Sequence, residues 1–224
     1  MNEKVKIIAE RYQATKDQIQ TEEAAKNALI MPFIAALGYD VFNPLEVVPE
    51  SIADIGSKKG EKIDYAIKKG DSIIMLVECK RCDNFLDDKN KSQLFRYFAA
   101  CDVHLAVLTN GLEYHFFSDI DKANKMDDTP FFVFNILNYD DQQLAELKRF
   151  TKHEFNIESI MAAAADMKYR SAIQAKLSSY LREPSEAFVK ALATDMNYPV
   201  RMTQQNIALF SGMVKDAFNQ FPDY

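Results

Sequence analysis

With 224 residues the chain can form one domain with a sizeable core, or a core domain plus an extension, without a disulfide or structural metal. Its formal net charge of −6 argues against a protein that coats nucleic acid indiscriminately. The three cysteines are an odd set, "MNEKVKIIAERY" lacks the apolar stretch of a secretory leader, and no run approaches the roughly 18 to 20 apolar residues of a membrane span, so the expectation is a cytoplasmic protein with no membrane partner.

Residues 3–20 predict a helix, because Val5, Ile8, Tyr12, Thr15 and Ile19 fall on one stripe. A second helix starts at Thr21, a capping residue, and runs through "EEAAKNALIMPFIAAL" to Gly38, which stands where a helix end favours glycine. At about 100° per residue, Glu22 lies near the centre of the stripe formed by Ala25, Leu29, Phe33, Ala36 and Leu37, and Glu23 lies near its edge. The ordinary role of such residues is a first-turn charge favoured by the helix dipole. "YDVFNPLEVVPE" reads as extended. The following loop is basic: Lys58, Lys59, Lys62, Lys68 and Lys69 stand against Glu61 and Asp64, the pattern of a solvated loop or of a surface that meets phosphate.

"IDYAIKKGDSIIMLVECK" places two apolar runs around Lys69-Gly70 and predicts a hairpin. "DDKNKSQLFRYFAACD" has helical spacing, and "VHLAVLTNGLEYHFF" reads as two strands around an Asn-Gly turn. From about Asp140 onward the periodicity is helical throughout. The expected organisation is an N-terminal helix (1–20), an α/β core (21–138) and an all-helical extension (139–224). The extension is expected to pack on the core or on a second copy, which would make a homodimer, and not to read base edges.

The six glycines include no G-x-x-x-x-G-K-[ST], so no nucleotide-driven motor is expected. The three histidines lack metal-site spacing, and Cys79-x-x-Cys82 has no second cysteine pair to complete a zinc site. One stretch does demand a chemical explanation. In "IIMLVECK" side chains alternate, so Ile74, Leu76, Glu78 and Lys80 share one face of an apolar strand that ends in two opposite charges. The bland alternative is a strand-end ion pair of little net worth. Against it stands Asp64 on the preceding strand.

An acid followed by Glu-x-Lys on the next strand suits divalent-metal phosphodiester cleavage. Mg²⁺ prefers hard oxygen ligands and is usually held by one or two carboxylates with waters and phosphate. Asp64 and Glu78 can supply those carboxylates, with Mn²⁺ as a substitute ion, and Lys80 offers a cation for the attacking water or the phosphate. The pairing depends on register. A two-residue Lys69-Gly70 loop would set Asp64 against Met75, facing away from Glu78, so the site needs an odd loop or a bulge.

With "TEEAAKNALIMPFIAALGYDVFNPLEVVPE", "KIDYAI" and "IMLVECK" in this order, the sequence resembles the PD-(D/E)XK nuclease superfamily. Over residues 21–118 it is most similar to the N-terminal nuclease domain of type I restriction enzyme motor subunits and its stand-alone, often prophage-borne, relatives. The resemblance implies a restriction-endonuclease-like α/β core with a mixed central sheet flanked by helices, and Mg²⁺-dependent hydrolysis of DNA, in duplex form. It also implies metal ligands Asp64 and Glu78, catalytic Lys80 and an auxiliary acid at Glu22, with Glu23 as the alternative. Gln93 and Tyr97 match a Q-x-x-x-Y element and, with Lys58, Lys59 and Lys62, are the candidate nucleic-acid contacts. Ile63 departs from the pattern's proline. Restriction-type partner subunits are a further expectation. A catalytically idle DNA-binding or accessory subunit and an RNA-directed nuclease are the alternative functions.

Overall fold

A computed structural model describes residues 1–52 and 62–220. Its first part is an α/β layer built on a six-stranded sheet, and its last part is helical, in agreement with the expected fold class. The strands are β1 (Val47–Ile52), β2 (Lys62–Lys69), β3 (Ser72–Cys79), β4 (Ala106–Thr109), β5 (Glu113–Phe117) and β6 (Phe132–Asn135), and they lie side by side in chain order. All neighbours are antiparallel except β3 and β4, which pair in parallel. A parallel step needs a crossover, and helix α4 (Asp88–Ala100) supplies it. Pro49 is accommodated because β1 is an edge strand. Strand β6 is absent from the sequence-based expectations, although Phe132, Val133 and Phe134 alternate buried, exposed and buried.

Helix α1 (Asn2–Thr15) buries Val5 and Ile8. The second helix is three pieces in line: α2 (Glu22–Ala25), a π-turn (Lys26–Ile30) and α3 (Met31–Ala36). Thr21 caps it by accepting from the Ala24 N–H at 3.0 Å, and Gly38 follows it with φ +95°. The π-turn has a chemical cause. Pro32 has no N–H to offer Ala28 O, which instead accepts from Arg11 Nη1 at 3.0 Å, and Met31 N reaches back to Lys26 O.

One face of the sheet packs on these helices through Ala25, Leu29, Phe33, Tyr65, Ile67, Met75, Val77, Val107, Tyr114 and Phe116. The opposite face packs Ala66, Leu76, Ala106, Leu108 and Phe117 against Leu94, Tyr97 and Phe98 of α4.

Two compact units divide the chain at Met167/Lys168. Helix α5 (Asp141–Lys148) and the start of α6 (Ile157–Arg182) belong to the first unit, where Leu144, Leu147, Phe150, Phe155, Ile160 and Ala164 enter its core. The change of sequence texture near 139 therefore precedes the division between units by about one helix and a half. The second unit has its own cluster: α7 (Glu186–Asp195) and α8 (Gln204–Phe218) bury Val189, Ala193, Ile207, Phe210 and Val214 together.

Candidate metal and nuclease site

The β2–β3 hairpin determines where the charged side chains meet. Its turn residues are Gly70 and Asp71, between the pairs Lys69↔Ser72 and Lys68↔Ile73. That register, continued, would set Asp64 against Val77 and leave it one residue out of step with Glu78. A bulge intervenes: the ladder resumes at Ile67↔Met75, Ala66↔Leu76 and Tyr65↔Val77, with Ile74 as the extra residue. The resumed register carries Asp64 to the level of Glu78 at the open end of the hairpin.

There Asp64 Oδ2 accepts from the Cys79 N–H at 2.7 Å, so the acid is fixed by the backbone of the strand that carries Glu78. Asp64 Oδ1 is held by the Lys26 ammonium. Lys26 also lies 3.2 Å from Glu22 Oε1, one turn earlier on its helix. Lys80 Nζ donates to Glu78 Oε1 at 2.5 Å. Glu78 is 2% exposed, and its second oxygen, Oε2, is buried with no hydrogen-bond partner among the described residues. Burial, and next the Asp64 charge, push the Glu78 carboxyl up from its ordinary range, against the pull of Lys80. The Lys26 ammonium loses solvent on burial, yet its hydrogen bond and charge interaction with Asp64 raise its proton affinity overall.

A buried carboxylate with an open oxygen beside a second carboxylate is a fitting donor set for a hard divalent cation, which would relieve both the missing bond and the repulsion. Among the described residues no three His, Cys, Asp or Glu side chains converge as a metal cluster, so waters and phosphate would have to complete the coordination of a metal on this pair. Cys79 is buried on the opposite face, and its thiol is pushed up by desolvation, which leaves it a packing residue.

The other expected site residues are placed differently. Glu22 joins the constellation through Lys26, whereas Glu23 accepts from Asn27 on the helix surface. Gln93 donates to Lys62 O on β2. Tyr97 is 1% exposed within the second apolar cluster, and its hydroxyl donates to Ser51 O on β1 at 3.3 Å. The two side chains thus brace β1 and β2 from α4, and Tyr97 offers no free ring face to a nucleotide, contrary to the expectation of direct contact. Lys62 is half-exposed and paired with Glu50 at 2.7 Å. Lys58 and Lys59 lie outside the described residues.

Lys26 is the functional candidate that sequence reasoning passed over. Its i, i+4 relation to Glu22 was readable, but its link to Asp64, 38 residues away, was not. A cavity of about 590 Å³ opens beside Thr21 and Arg81, with Lys16 and Gln20 also on its wall. Arg81 is held there by a two-bond pair with Asp83, at 3.1 and 2.9 Å.

Residues 21–130 match the family described as the type I restriction enzyme R protein N terminus. No curated protein and no solved structure matches the chain. The chain therefore resembles that restriction enzyme domain over its α/β core, which points to a nuclease or restriction-type role and to DNA as a partner. Among the described residues no helix is long and apolar enough to cross a membrane.

Proposed function

We propose that the first unit is a metal-dependent DNA endonuclease of the PD-(D/E)XK type, acting in restriction or in a prophage-associated role. The observation that carries this reading is the buried Glu78 carboxylate, with one oxygen open among the described residues, at the level of Asp64 and bonded by Lys80. Glu78 Oε2 and a carboxylate oxygen of Asp64 would hold Mg²⁺ or Mn²⁺. The bound ion would polarise the scissile phosphate and lower the pKa of a water ligand.

The chain's own residues perform the remaining tasks. Asp64 is locked by the Cys79 N–H, so its carboxylate need not be ordered when substrate arrives. The Lys80 ammonium, held beside Glu78, would orient the attacking water or steady charge developing on the phosphate. Burial of Glu78 keeps bulk water from competing for the pair. Lys16 and Arg81 on the neighbouring cavity wall offer cations to the flanking phosphates.

The test is incubation of the full chain with supercoiled plasmid, linear duplex, single-stranded DNA and RNA, in Mg²⁺ and in EDTA. Nicking or cleavage of DNA only with Mg²⁺, and abolished by Glu78→Gln, is the expected result. Cleavage of RNA alone would transfer the activity to RNA. Duplex binding without cleavage of any substrate would make the chain an accessory DNA-binding subunit.

A further inference from the structure

The two carboxylates of the candidate site offer four oxygens, and three of them already accept a hydrogen bond. Asp64 Oδ2 is taken by the Cys79 N–H, Asp64 Oδ1 by Lys26 and Glu78 Oε1 by Lys80; among the described residues nothing bonds Glu78 Oε2. A cation that bridges Asp64 and Glu78 through Oδ1 therefore competes with the charge of an ammonium group already seated there. That ammonium has somewhere to go. Glu22 Oε1 stands 3.2 Å from it, is more exposed than Asp64, and shares no other ion pair among the described residues. The Lys26 backbone is itself at a special position, the first residue of the π-turn, with its carbonyl accepting from Met31 N. Such turns recur at functional sites because they set one side chain off the regular helical path.

We propose that Lys26 is a displaceable counter-ion that closes Asp64 in the metal-free protein and shifts onto Glu22 when a divalent cation loads. The proposal rests on the metal-dependent reading given above and adds a regulatory contact to it. Lys26 neutralises Asp64 before loading, which keeps two neighbouring carboxylates from repelling each other and holds the hairpin end against the helix. On loading, a divalent cation at Asp64 Oδ1 would stand close to the ammonium, and repulsion between the two positive charges drives Lys26 away. Because Glu22 retains it, the displaced charge is not left unpaired within a partly buried site. Glu22 is then a positioning residue that acts through Lys26 and touches neither metal nor phosphate.

This arrangement makes metal affinity the result of a competition, and it gives opposite signs to two substitutions that each remove one charge. Lys26→Met removes the competitor, and Mn²⁺ should bind about tenfold more tightly to the full chain, measured by calorimetry or Mn²⁺ electron resonance without DNA. Glu22→Gln removes the alternative seat, and Mn²⁺ should bind several-fold more weakly. In the Lys26→Met background Glu22→Gln should change Mn²⁺ affinity little, because no ammonium remains to be held. Lys26→Gln, which keeps length and hydrogen-bonding capacity, should reproduce the tighter binding if the Met variant folds poorly. Mn²⁺ affinity unchanged or weakened in both Lys26 variants would overturn the proposal while leaving the metal site standing. A Glu22→Gln effect that persists without Lys26 would overturn it as well. No Mn²⁺ binding by the unsubstituted chain or any variant would instead remove the metal-dependent reading, and this inference with it.

Discussion

The β2–β3 and β4–β5 hairpins start from the same kind of signal, a glycine-containing turn between two apolar runs, and end as different objects. The β4–β5 ladder keeps one register from Thr109↔Tyr114 to Ala106↔Phe117, and its side chains fill both faces of the core. The β2–β3 ladder shifts once, between Ile67 and Lys68, and its far end carries Asp64 and Glu78. Because side chains alternate with a period of two, one extra residue exchanges the faces of everything beyond it. The regular hairpin is built for burial. The bulged one is apolar through its middle and still delivers two carboxylates to one level, a local conflict with burial of the kind expected where function outranks stability.

The largest test of this contrast removes the cation that makes the bulged hairpin tolerable. Lys80→Ala leaves Glu78 buried without its ion pair and should cost about 3 kcal/mol of stability in denaturant melts. Glu78→Gln, which removes the charge itself, should cost far less. Both should abolish Mg²⁺-dependent plasmid cleavage, and in EDTA they should shift duplex affinity in opposite directions, Lys80→Ala weakening it and Glu78→Gln strengthening it. Full activity in either variant would reduce the pair to an ordinary strand-end contact.

In the regular hairpin the corresponding weak point is the turn. Gly111 has φ +87°, and a Cβ there would lie 3.0 Å from Leu29 Cδ1 and 3.1 Å from Leu29 Cβ, against the helix that carries Lys26. Gly111→Ala should therefore cost about 2 kcal/mol, combining strain with displacement of the helix, and should loosen Mn²⁺ binding as well. A neutral substitution would mean that this turn does not fix the helix over the site.

Proton linkage gives a third comparison, smaller and of definite sign. Burial first and Asp64 second push the Glu78 carboxyl up to about 7 from an ordinary value of 4.5. The folded protein thus holds a proton that the unfolded chain has released. Without divalent metal, stability should fall as pH rises from about 4.5 through about 7, by at most about 1.4 kcal/mol per pH unit. Glu78→Gln should flatten that slope in urea melts recorded with EDTA; an unchanged slope would assign the titration to another group. The smallest effect belongs to the turn of the bulged hairpin. Gly70 has φ +63° and open space around it, so Gly70→Ala should cost about 1 kcal/mol and leave metal affinity unaltered. A loss of Mn²⁺ binding there would show that the turn, and not the bulge at Ile74, sets the register of Asp64.

Local signals were legible where short-range chemistry decides the outcome. Thr21 as a cap, Gly38 after the helix, the two hairpins and the α4 crossover all follow from propensity and alternation over a few residues. The pairing of an acid with Glu-x-Lys was legible for the same reason, since "IIMLVECK" is too apolar a strand to end in charges without cause. Strand β6 went unread because its four residues sit among loop signals and are held chiefly by β5. Tyr97 was expected among the nucleic-acid contacts because helical spacing alone does not separate a site-facing tyrosine from a core one.

Short-range pattern accounts for every strand but β6, for the apolar faces, and for the choice of Asp64, Glu78 and Lys80 as the charges to explain. Each depends on interactions within a turn or a strand, so composition and spacing are sufficient. Long-range contacts alone explain that Ile74 bulges, that Asp64 is locked by the Cys79 N–H, and that Lys26 closes its second oxygen. They also explain that α5 and the start of α6 belong with the sheet. These outcomes depend on contacts between residues far apart in the chain, where the loss of chain entropy is offset only by the summed packing and pairing of the whole core, and no local pattern records that sum.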